Sequence, residues 1–261
     1  MAMMTIRGEP FHVRVDGETG APALLLSNSL GTNLSMWDPQ VAEWAKHFRV
    51  VRYDSRGHGL STAPDRPYSM AMLAEDALAI LDALGIAKAH WCGLSKGGMV
   101  GQWLGSHHGE RFDRIVLANT GARMGPPESW DARIDTVRRN GMAVMVQPTL
   151  ERWFTPGFRE RDPATIARVS EMLATTPPLG YVNCCAAIRD MDQRETIRTI
   201  ANSVLVVIGK HDPATPPEAG HFIADAIPGA RRVELDAAHL SNLEQPAAFT
   251  RAVLDFLTNQ G

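Results

Sequence analysis

Several features that would place this chain in a specialised class are absent or scarce. It has only three cysteines, Cys92, Cys184 and Cys185, and none forms a CxxC pair. So small and odd a number favours free thiols in a reducing compartment, and we expect each cysteine to be a small buried hydrophobic residue. The first residues show no basic head followed by an apolar run, so no signal peptide is expected. Together these absences predict a cytoplasmic protein.

Long apolar runs and long runs of one charge are missing as well. The longest apolar stretches, such as "ALLL" and "VLVVI", are far shorter than the roughly 18 residues that a membrane span needs. A net charge of −3 gives no indication of a basic surface for nucleic acid. The sequence contains no HExxH pattern, which would have indicated a metal site. The 261 residues, 44% of them hydrophobic, are enough for one large globular domain or a domain with an insertion.

Strand and helix signals alternate along both ends of the chain. In the segment 69–85, Leu73, Ala77 and Leu81 fall on one helical face. Alternating strands and helices predict an α/β fold with a mostly parallel central sheet and helices on both faces. Short apolar or alternating runs predict the strands at 11–15, 23–27, 48–54, 88–93, 114–119, 203–209 and 231–236.

The segment 121–194 interrupts this alternation. It is rich in proline and arginine, contains several short helical patterns and has no convincing buried strand. One of its predicted helices is the run 130–146. We therefore predict a helical cap over 121–194, inserted into a core that is formed by 1–120 and 195–261.

A glycine-rich stretch, "HWCGLSKGGMVG", surrounds a single serine and allows three interpretations: a flexible turn, a phosphate-binding loop or a strained nucleophile elbow. A P-loop requires glycine followed directly by Lys and Ser or Thr, whereas the order here is Ser95-Lys96-Gly97. The dinucleotide pattern GxGxxG fails in "GHGLST", where Thr62 replaces the third glycine. The remaining match is GxSxG between a predicted strand and a predicted helix, which indicates a nucleophile elbow with Ser95 at its apex.

A serine hydroxyl becomes a good nucleophile only when a base removes its proton and an acid orients that base. In the α/β-hydrolases, whose elbow this motif resembles, the chain order is Ser, acid, His. His239 lies in a loop between the last predicted strand and the last helix, and Asp212 follows the end of "SVLVVIG". We predict a triad of Ser95, Asp212 and His239, with His211 as the competing base and Asp236 as the competing acid.

Two backbone amides would complete such a site by stabilising the oxyanion. One belongs to Lys96, the residue after the nucleophile, and our candidate for the other is Leu30, in the turn after strand 23–27. The neighbouring loop "YDSRGHGLS" is interpreted as a fold-supporting loop in which Asp54 and Arg56 bind backbone groups.

Along nearly its whole length the sequence resembles the α/β-hydrolase family, and within it the 3-oxoadipate enol-lactonases of aromatic catabolism. This resemblance implies a cytoplasmic, cofactor-free lactonase that opens an enol-lactone to 3-oxoadipate through an acyl-enzyme on Ser95. The sequence departs from many relatives at Asn28-Ser29, where they have His-Gly. The resemblance is carried by "CGLSKGGMVGQWLG", "LANTGARMG", "CCAAIRDMDQRE", "VIGKHDPATPP" and "DAAHLSNLEQP".

The anionic lactone that the resemblance implies would require a cation in its pocket. Candidates in the cap are Arg133 and Arg138, with Trp130 as a wall, and the Lys96 side chain is an alternative anchor. Other functions remain open: another α/β-hydrolase esterase or lactonase, a cofactor-free haloperoxidase-like enzyme, or, more remotely, a non-catalytic ligand-binding protein of this fold. No motif specifies an oligomeric state.

Overall fold

The computed structural model describes residues 2–258, and it is built around one eight-stranded sheet. The strands are β1 (Ala2–Ile6), β2 (Glu9–Asp16), β3 (Ala23–Ser27), β4 (Arg49–Tyr53), β5 (Ala89–Leu94), β6 (Phe112–Ala118), β7 (Ser203–Gly209) and β8 (Arg231–Leu235). Their order is β1-β2-β4-β3-β5-β6-β7-β8. The pairs β1–β2 and β2–β4 are antiparallel and the other five are parallel, which confirms the predicted mostly parallel sheet.

Helices connect these strands and cover both faces of the sheet. None of the helices between residues 2 and 258 is both long and apolar enough to cross a bilayer. The α-helices are α1 (Asp38–Trp44), α2 (Met70–Ala83), α3 (Lys96–His107), α4 (Pro127–Asn140), α5 (Ala143–Trp153), α6 (Pro156–Arg161), α7 (Pro163–Thr175), α8 (Pro178–Asp190), α9 (Pro217–Ala226), α10 (Ser241–Glu244) and α11 (Pro246–Thr258).

Two hydrophobic cores lie on opposite faces of the sheet because successive strand residues point to opposite sides. In β3, Leu25 joins one core, whereas Leu24 and Leu26 join the other. Helices α2, α3 and α9 contribute to the first core, and α1 and α11 to the second. The central strands are buried on both faces, which explains their continuous apolar runs. All three cysteines are free and buried, as predicted.

Short elements account for most of the differences from the sequence-based prediction. Helices α1 and α6 and the single turn α10 were not predicted because each is too short to show a periodic pattern, and β1 was not predicted because it is largely exposed and has no buried apolar run. The helix predicted over 130–146 is wrong: the chain breaks at Gly141, whose φ of 72° favours glycine, and two helices, α4 and α5, take its place.

Five helices, α4 to α8, lie between β6 and β7, and the segment 121–194 that contains them is called the helical insert below. The structure places no strand in it. Its two ends meet through a bridge between Arg123 and Asp192 and through the Gln193 N–H, which donates to the Ala122 carbonyl at 2.8 Å. Helix α4 packs on α8, and α5 packs on α7.

The loop after β4 is held by buried polar contacts. Asp54 accepts the backbone N–H groups of Leu34 and Leu60, at 2.7 and 3.0 Å, so the prediction that it binds backbone is confirmed. The same prediction is wrong for Arg56, whose buried guanidinium binds the carboxylate of Asp76 through two hydrogen bonds of 2.7 Å. A buried guanidinium requires a charged partner, which a carbonyl could not provide.

We expect Asp76→Asn to lower the free energy of unfolding by about 3 kcal/mol, because it leaves the buried Arg56 charge with only the partly exposed carboxylate of Glu9 as counterion. Urea unfolding followed by circular dichroism measures the change. Glu75→Gln on the same helix is the control: its partner Arg7 and its own side chain are both about half exposed, so about 1 kcal/mol or less is expected. Equal losses in the two variants would contradict this account of the loop.

Candidate active site

Ser95 lies at the turn between β5 and α3 in a strained conformation, with φ 58° and ψ −115°. Its N–H donates to the Ala118 carbonyl at 2.8 Å, and its own carbonyl accepts the Thr120 hydroxyl at 2.8 Å. The turn also needs a bare backbone at Gly97, where an added Cβ would lie 2.1 Å from the Ser27 carbonyl oxygen. The strained strand–turn–helix predicted from GxSxG is therefore present.

His239 and Asp212 form a buried pair, with 2.8 Å between the histidine Nδ1 and the aspartate Oδ2. Asp212 Oδ2 also accepts the Thr215 hydroxyl at 2.6 Å and the Asn119 amide at 3.1 Å. Its Oδ1 accepts the backbone N–H groups of Ala214 and Thr215, at 2.8 and 3.0 Å. The carboxylate is thus surrounded by donors although it is almost completely buried.

These contacts fix the protonation of the pair. Burial alone would raise the pKa of the Asp212 carboxyl, but the charge and hydrogen bond of His239 and the hydrogen bonds from Thr215 outweigh it, so the pKa lies below its ordinary value. Asp212 is therefore ionised at neutral pH. Because a carboxylate only accepts hydrogen bonds, Nδ1 of His239 carries the proton and Nε2 is free to act as a base.

The competing residues lie elsewhere and pair with each other. His211 Nε2 lies 2.7 Å from Asp236 Oδ1, and both side chains are more than half exposed. Neither lines the cavity that contains Ser95 and His239. The arrangement therefore favours Asp212 and His239 over His211 and Asp236.

Ser95 and His239 open into one cavity of about 220 Å³ at the carboxyl edge of the sheet. The core contributes the floor, and the helical insert contributes the opposite wall through α4, α5 and α8. Asp212 lies behind His239 and does not line the cavity. The lining includes Ser29, Leu30, Ser95, Met99, Ser129, Trp130, Arg133, Arg152, Trp153, Tyr181, Ile188, Thr215 and His239.

The turn that holds Leu30 is anchored by Asn28, the first residue of the Asn28-Ser29 pair. The Asn28 side chain donates to the Tyr53 carbonyl at 2.8 Å and accepts the Trp37 indole N–H at 2.9 Å. Its carbonyl accepts the Gly97 N–H of the elbow at 3.1 Å. The departure in sequence therefore leaves this turn tied to the neighbouring strand and to the nucleophile turn.

The Lys96 side chain does not reach the cavity. It is 1% exposed, and its ammonium group hydrogen-bonds to the hydroxyl of Ser55 beneath the elbow. The alternative in which this side chain anchors a substrate is therefore wrong: the first residue of α3 directs its side chain away from the cavity, and only its backbone lies beside Ser95.

Two arginines of the insert line the cavity, one predicted and one missed. Arg133 lies with its guanidinium 5.0 Å from the Trp130 ring centre and donates to the Tyr181 hydroxyl at 3.4 Å. Arg152, which sequence reasoning missed, has a buried Nε without a hydrogen-bond partner. Burial and the nearby charge of Arg133 lower the pKa of Arg152.

These two guanidinium groups have no counterion of their own. Across residues 2–258, neither Arg133 nor Arg152 forms an ion pair with a carboxylate, in contrast to Arg189 of the same insert. Unpaired cations at a half-buried site favour an anionic ligand. Arg138, the other sequence candidate, is exposed and lines a different surface, so that prediction is wrong. Five residues after Arg133, it lies about 140° further around the same helix, because a turn has 3.6 residues.

A buried carboxylate, also missed from the sequence, connects the His239 loop to the insert. Glu244 is 5% exposed; it accepts the Ala238 N–H at 2.9 Å and the hydroxyl of Thr155. The Leu240 N–H donates to the Trp153 carbonyl at 3.2 Å. The loop that carries the imidazole is therefore hydrogen-bonded to the corner between α5 and α6.

Comparison with known proteins agrees with the fold described above. A family model described as the alpha/beta hydrolase fold matches residues 22–246. 3-Oxoadipate enol-lactonase 2 of Acinetobacter baylyi is 44% identical over 91% of this chain and 89% of its own, and enol-lactonase 1 of that organism is 40% identical over 98% and 96%. The crystal structure of the enol-lactonase from Burkholderia xenovorans LB400 superposes with a TM-score of 0.97 at 46% identity, covering 99% of this chain and 100% of that one.

A more distant relative is the putative carbamate hydrolase RutD of Agrobacterium fabrum, 30% identical over 94% of this chain and 96% of its own. The sequence resemblance to the enol-lactonases is confirmed by these comparisons, and the chain belongs to the α/β-hydrolase fold family.

Proposed function

We propose that this protein is a cytoplasmic serine hydrolase that opens 3-oxoadipate enol-lactone to 3-oxoadipate in aromatic catabolism. One observation carries the proposal: a strained serine and a histidine paired with a buried aspartate share one cavity with two unpaired arginines. The names of the relatives at 40–46% identity support the choice of substrate. No cofactor is needed for this reaction.

In the first half-reaction, His239 removes the Ser95 proton and the serine oxygen attacks the lactone carbonyl. The negative charge that develops on the carbonyl oxygen is stabilised by the backbone N–H groups of Leu30 and Lys96. Asp212, held ionised by its donors, orients the imidazole and stabilises its protonated form. The tetrahedral intermediate then collapses to an acyl-enzyme.

Collapse breaks the ring C–O bond and expels an enolate, which takes up a proton and becomes the ketone. Because the enolate is a good leaving group, its departure depends less on proton donation by a general acid than the departure of an amine in amide cleavage does. In the second half-reaction, His239 removes a proton from water, the hydroxide attacks the acyl-enzyme, and 3-oxoadipate leaves as Ser95 regains its proton.

The substrate carries a carboxylate throughout, and Arg133 and Arg152 supply the charge to bind it. Their guanidinium groups are half-buried in the cavity wall, where hydrogen bonds to a carboxylate are stronger than in water. The Trp130 ring lies against the Arg133 guanidinium, and the Tyr181 hydroxyl accepts a hydrogen bond from it. This charge favours a carboxylate-bearing lactone over a neutral ester.

The insert 121–194 serves as the cap domain in this proposal, set on a core of 1–120 and 195–261, of which residue 1 and residues 259–261 lie outside the part of the chain that the structure describes. It contributes the arginines, whereas the core contributes the nucleophile, the base and the oxyanion amides. Specificity and chemistry would therefore reside in different parts of the chain.

Ser95→Ala is expected to lower kcat for the enol-lactone at least about 10³-fold, because the acyl-enzyme can no longer form. Loss of the ultraviolet absorbance of the enol-ester measures the rate. Ser129→Ala is the matched control: this serine lines the same cavity but bonds only within its own helix turn, so a change below about threefold is expected. Wild-type protein that hydrolyses simple esters but not the lactone would contradict the proposed substrate.

Arg133→Met and Arg152→Met should each raise KM for the lactone about 10- to 100-fold and change kcat much less, because each removes a charged hydrogen bond to a part of the substrate that does not react. For a neutral aryl ester, KM should hardly change. Arg138→Met is the control and should leave both substrates unaffected. Equal effects of the cavity variants on the lactone and on the neutral ester would show that these arginines do not read the carboxylate.

A further inference from the structure

The direction of the Leu30 N–H depends on the Ser29–Leu30 peptide to which it belongs and on the Leu30–Gly31 peptide that follows. Thr32 holds the preceding carbonyl: its hydroxyl and its N–H both donate to the Ser29 oxygen, at 2.9 and 3.3 Å. The Ser29–Leu30 peptide is trans, so the Leu30 N–H points away from the carbonyl that Thr32 binds. Ser29 and Leu30 both line the cavity.

The following peptide is held from the other side by a histidine. The Gly31 N–H donates to His58 Nε2 at 2.8 Å, and His58 is completely buried in the loop after β4. Gly31 has a φ of 81°, so the chain turns sharply just after Leu30. Within residues 2–258 the Gly31 N–H has no other hydrogen-bond partner.

The two partners of His58 determine its protonation state. A backbone N–H can only donate, so Nε2 must be an unprotonated acceptor. Nδ1 lies 3.2 Å from the Arg56 carbonyl, which can only accept, so Nδ1 carries the proton. Burial, together with the nearby Lys96 ammonium, lowers the pKa of His58 well below its ordinary value, in agreement with this neutral tautomer.

We propose that His58 is a positioning residue for the oxyanion hole: its neutral Nε2 holds the Gly31 amide and thereby keeps the Leu30 N–H directed at the reacting carbonyl. The proposal rests on the proposed function, since it assigns a task within that site. His58 does not touch the substrate. It acts through the backbone. Without its hydrogen bond, the chain could rotate about the backbone bonds of Leu30 and Gly31, and this rotation would misalign the Leu30 N–H without unfolding the domain.

The test compares His58→Leu with His58→Gln. Leucine fills the space but offers no acceptor, whereas the glutamine Oε1 can replace Nε2. We expect His58→Leu to lower kcat about 10- to 100-fold with KM changed less than threefold, because an oxyanion donor acts in the transition state. His58→Gln should recover most of the loss. His90→Leu, which replaces another buried histidine far from the cavity, should leave kcat unchanged.

A binding measurement that does not require turnover tests the role of His58 independently of the proposed function. An alkyl trifluoromethyl ketone adds to Ser95 as a hemiketal oxyanion, observed by fluorine NMR, and its affinity should fall in His58→Leu in proportion to kcat. If wild-type protein binds the ketone but hydrolyses neither the lactone nor the ester, the proposed function is overturned. The ketone affinities of the variants would still test the role of His58. Unchanged ketone affinity in a folded His58→Leu variant would overturn the role of His58, as would a His58→Gln variant that is equally impaired.

If His58→Leu fails to fold, as its thermal midpoint would reveal, His58→Asn takes its place. The shorter amide reaches the Nδ1 position beside the Arg56 carbonyl but not the Gly31 N–H. It should therefore show the same loss of kcat and of ketone affinity as expected for leucine, with glutamine again the rescuing variant. Asparagine and glutamine variants with equal kcat would overturn the proposal.

Discussion

Ser95 occupies a region of backbone space that a residue with a side chain adopts only when its surroundings enforce it, at a cost of about 1–3 kcal/mol. In this protein, two hydrogen bonds and one close backbone approach hold the turn in that conformation. The Ala118 carbonyl at the end of β6 binds the serine N–H, the Thr120 hydroxyl binds its carbonyl, and the Ser27 backbone leaves room only for glycine at position 97. The parallel strands and the helix that follows thus determine where the hydroxyl stands.

The parts of the fold that follow from local pattern were predictable. Ser95 and Asp212 follow the buried apolar strands β5 and β7, and His239 follows β8, whose run RRVEL alternates instead, so the sequence places all three at one edge of the sheet. Arg138 was chosen and Arg152 missed because helix periodicity does not reveal which face of the insert meets the core. The face that meets the core depends on how α4 and α5 pack against residues far away in sequence. No local sequence pattern contains that information.

The charged groups of the site are separated in space: the carboxylate belongs to the sheet domain and lies behind the base, and the two guanidinium groups belong to the helical insert. The acidic member of the site, Asp212, lies beneath the base and is satisfied by five donors, whereas Arg133 and Arg152 are left without counterions on the opposite wall. An anion that enters the cavity meets positive charge, while the negative charge of Asp212 lies outside the cavity lining and is stabilised by hydrogen bonds.

The contacts of Glu244 restrict how this cavity can admit a ligand. Thr155 and Trp153 are bonded to the His239 loop, and the Trp153 ring centre lies 5.9 Å from that of the imidazole. This corner of the insert is therefore coupled to the base, because any displacement of Trp153 or Thr155 would also displace the His239 loop. Arg152 precedes Trp153 in α5, so the charge that it presents to the cavity is tied to the position of the imidazole.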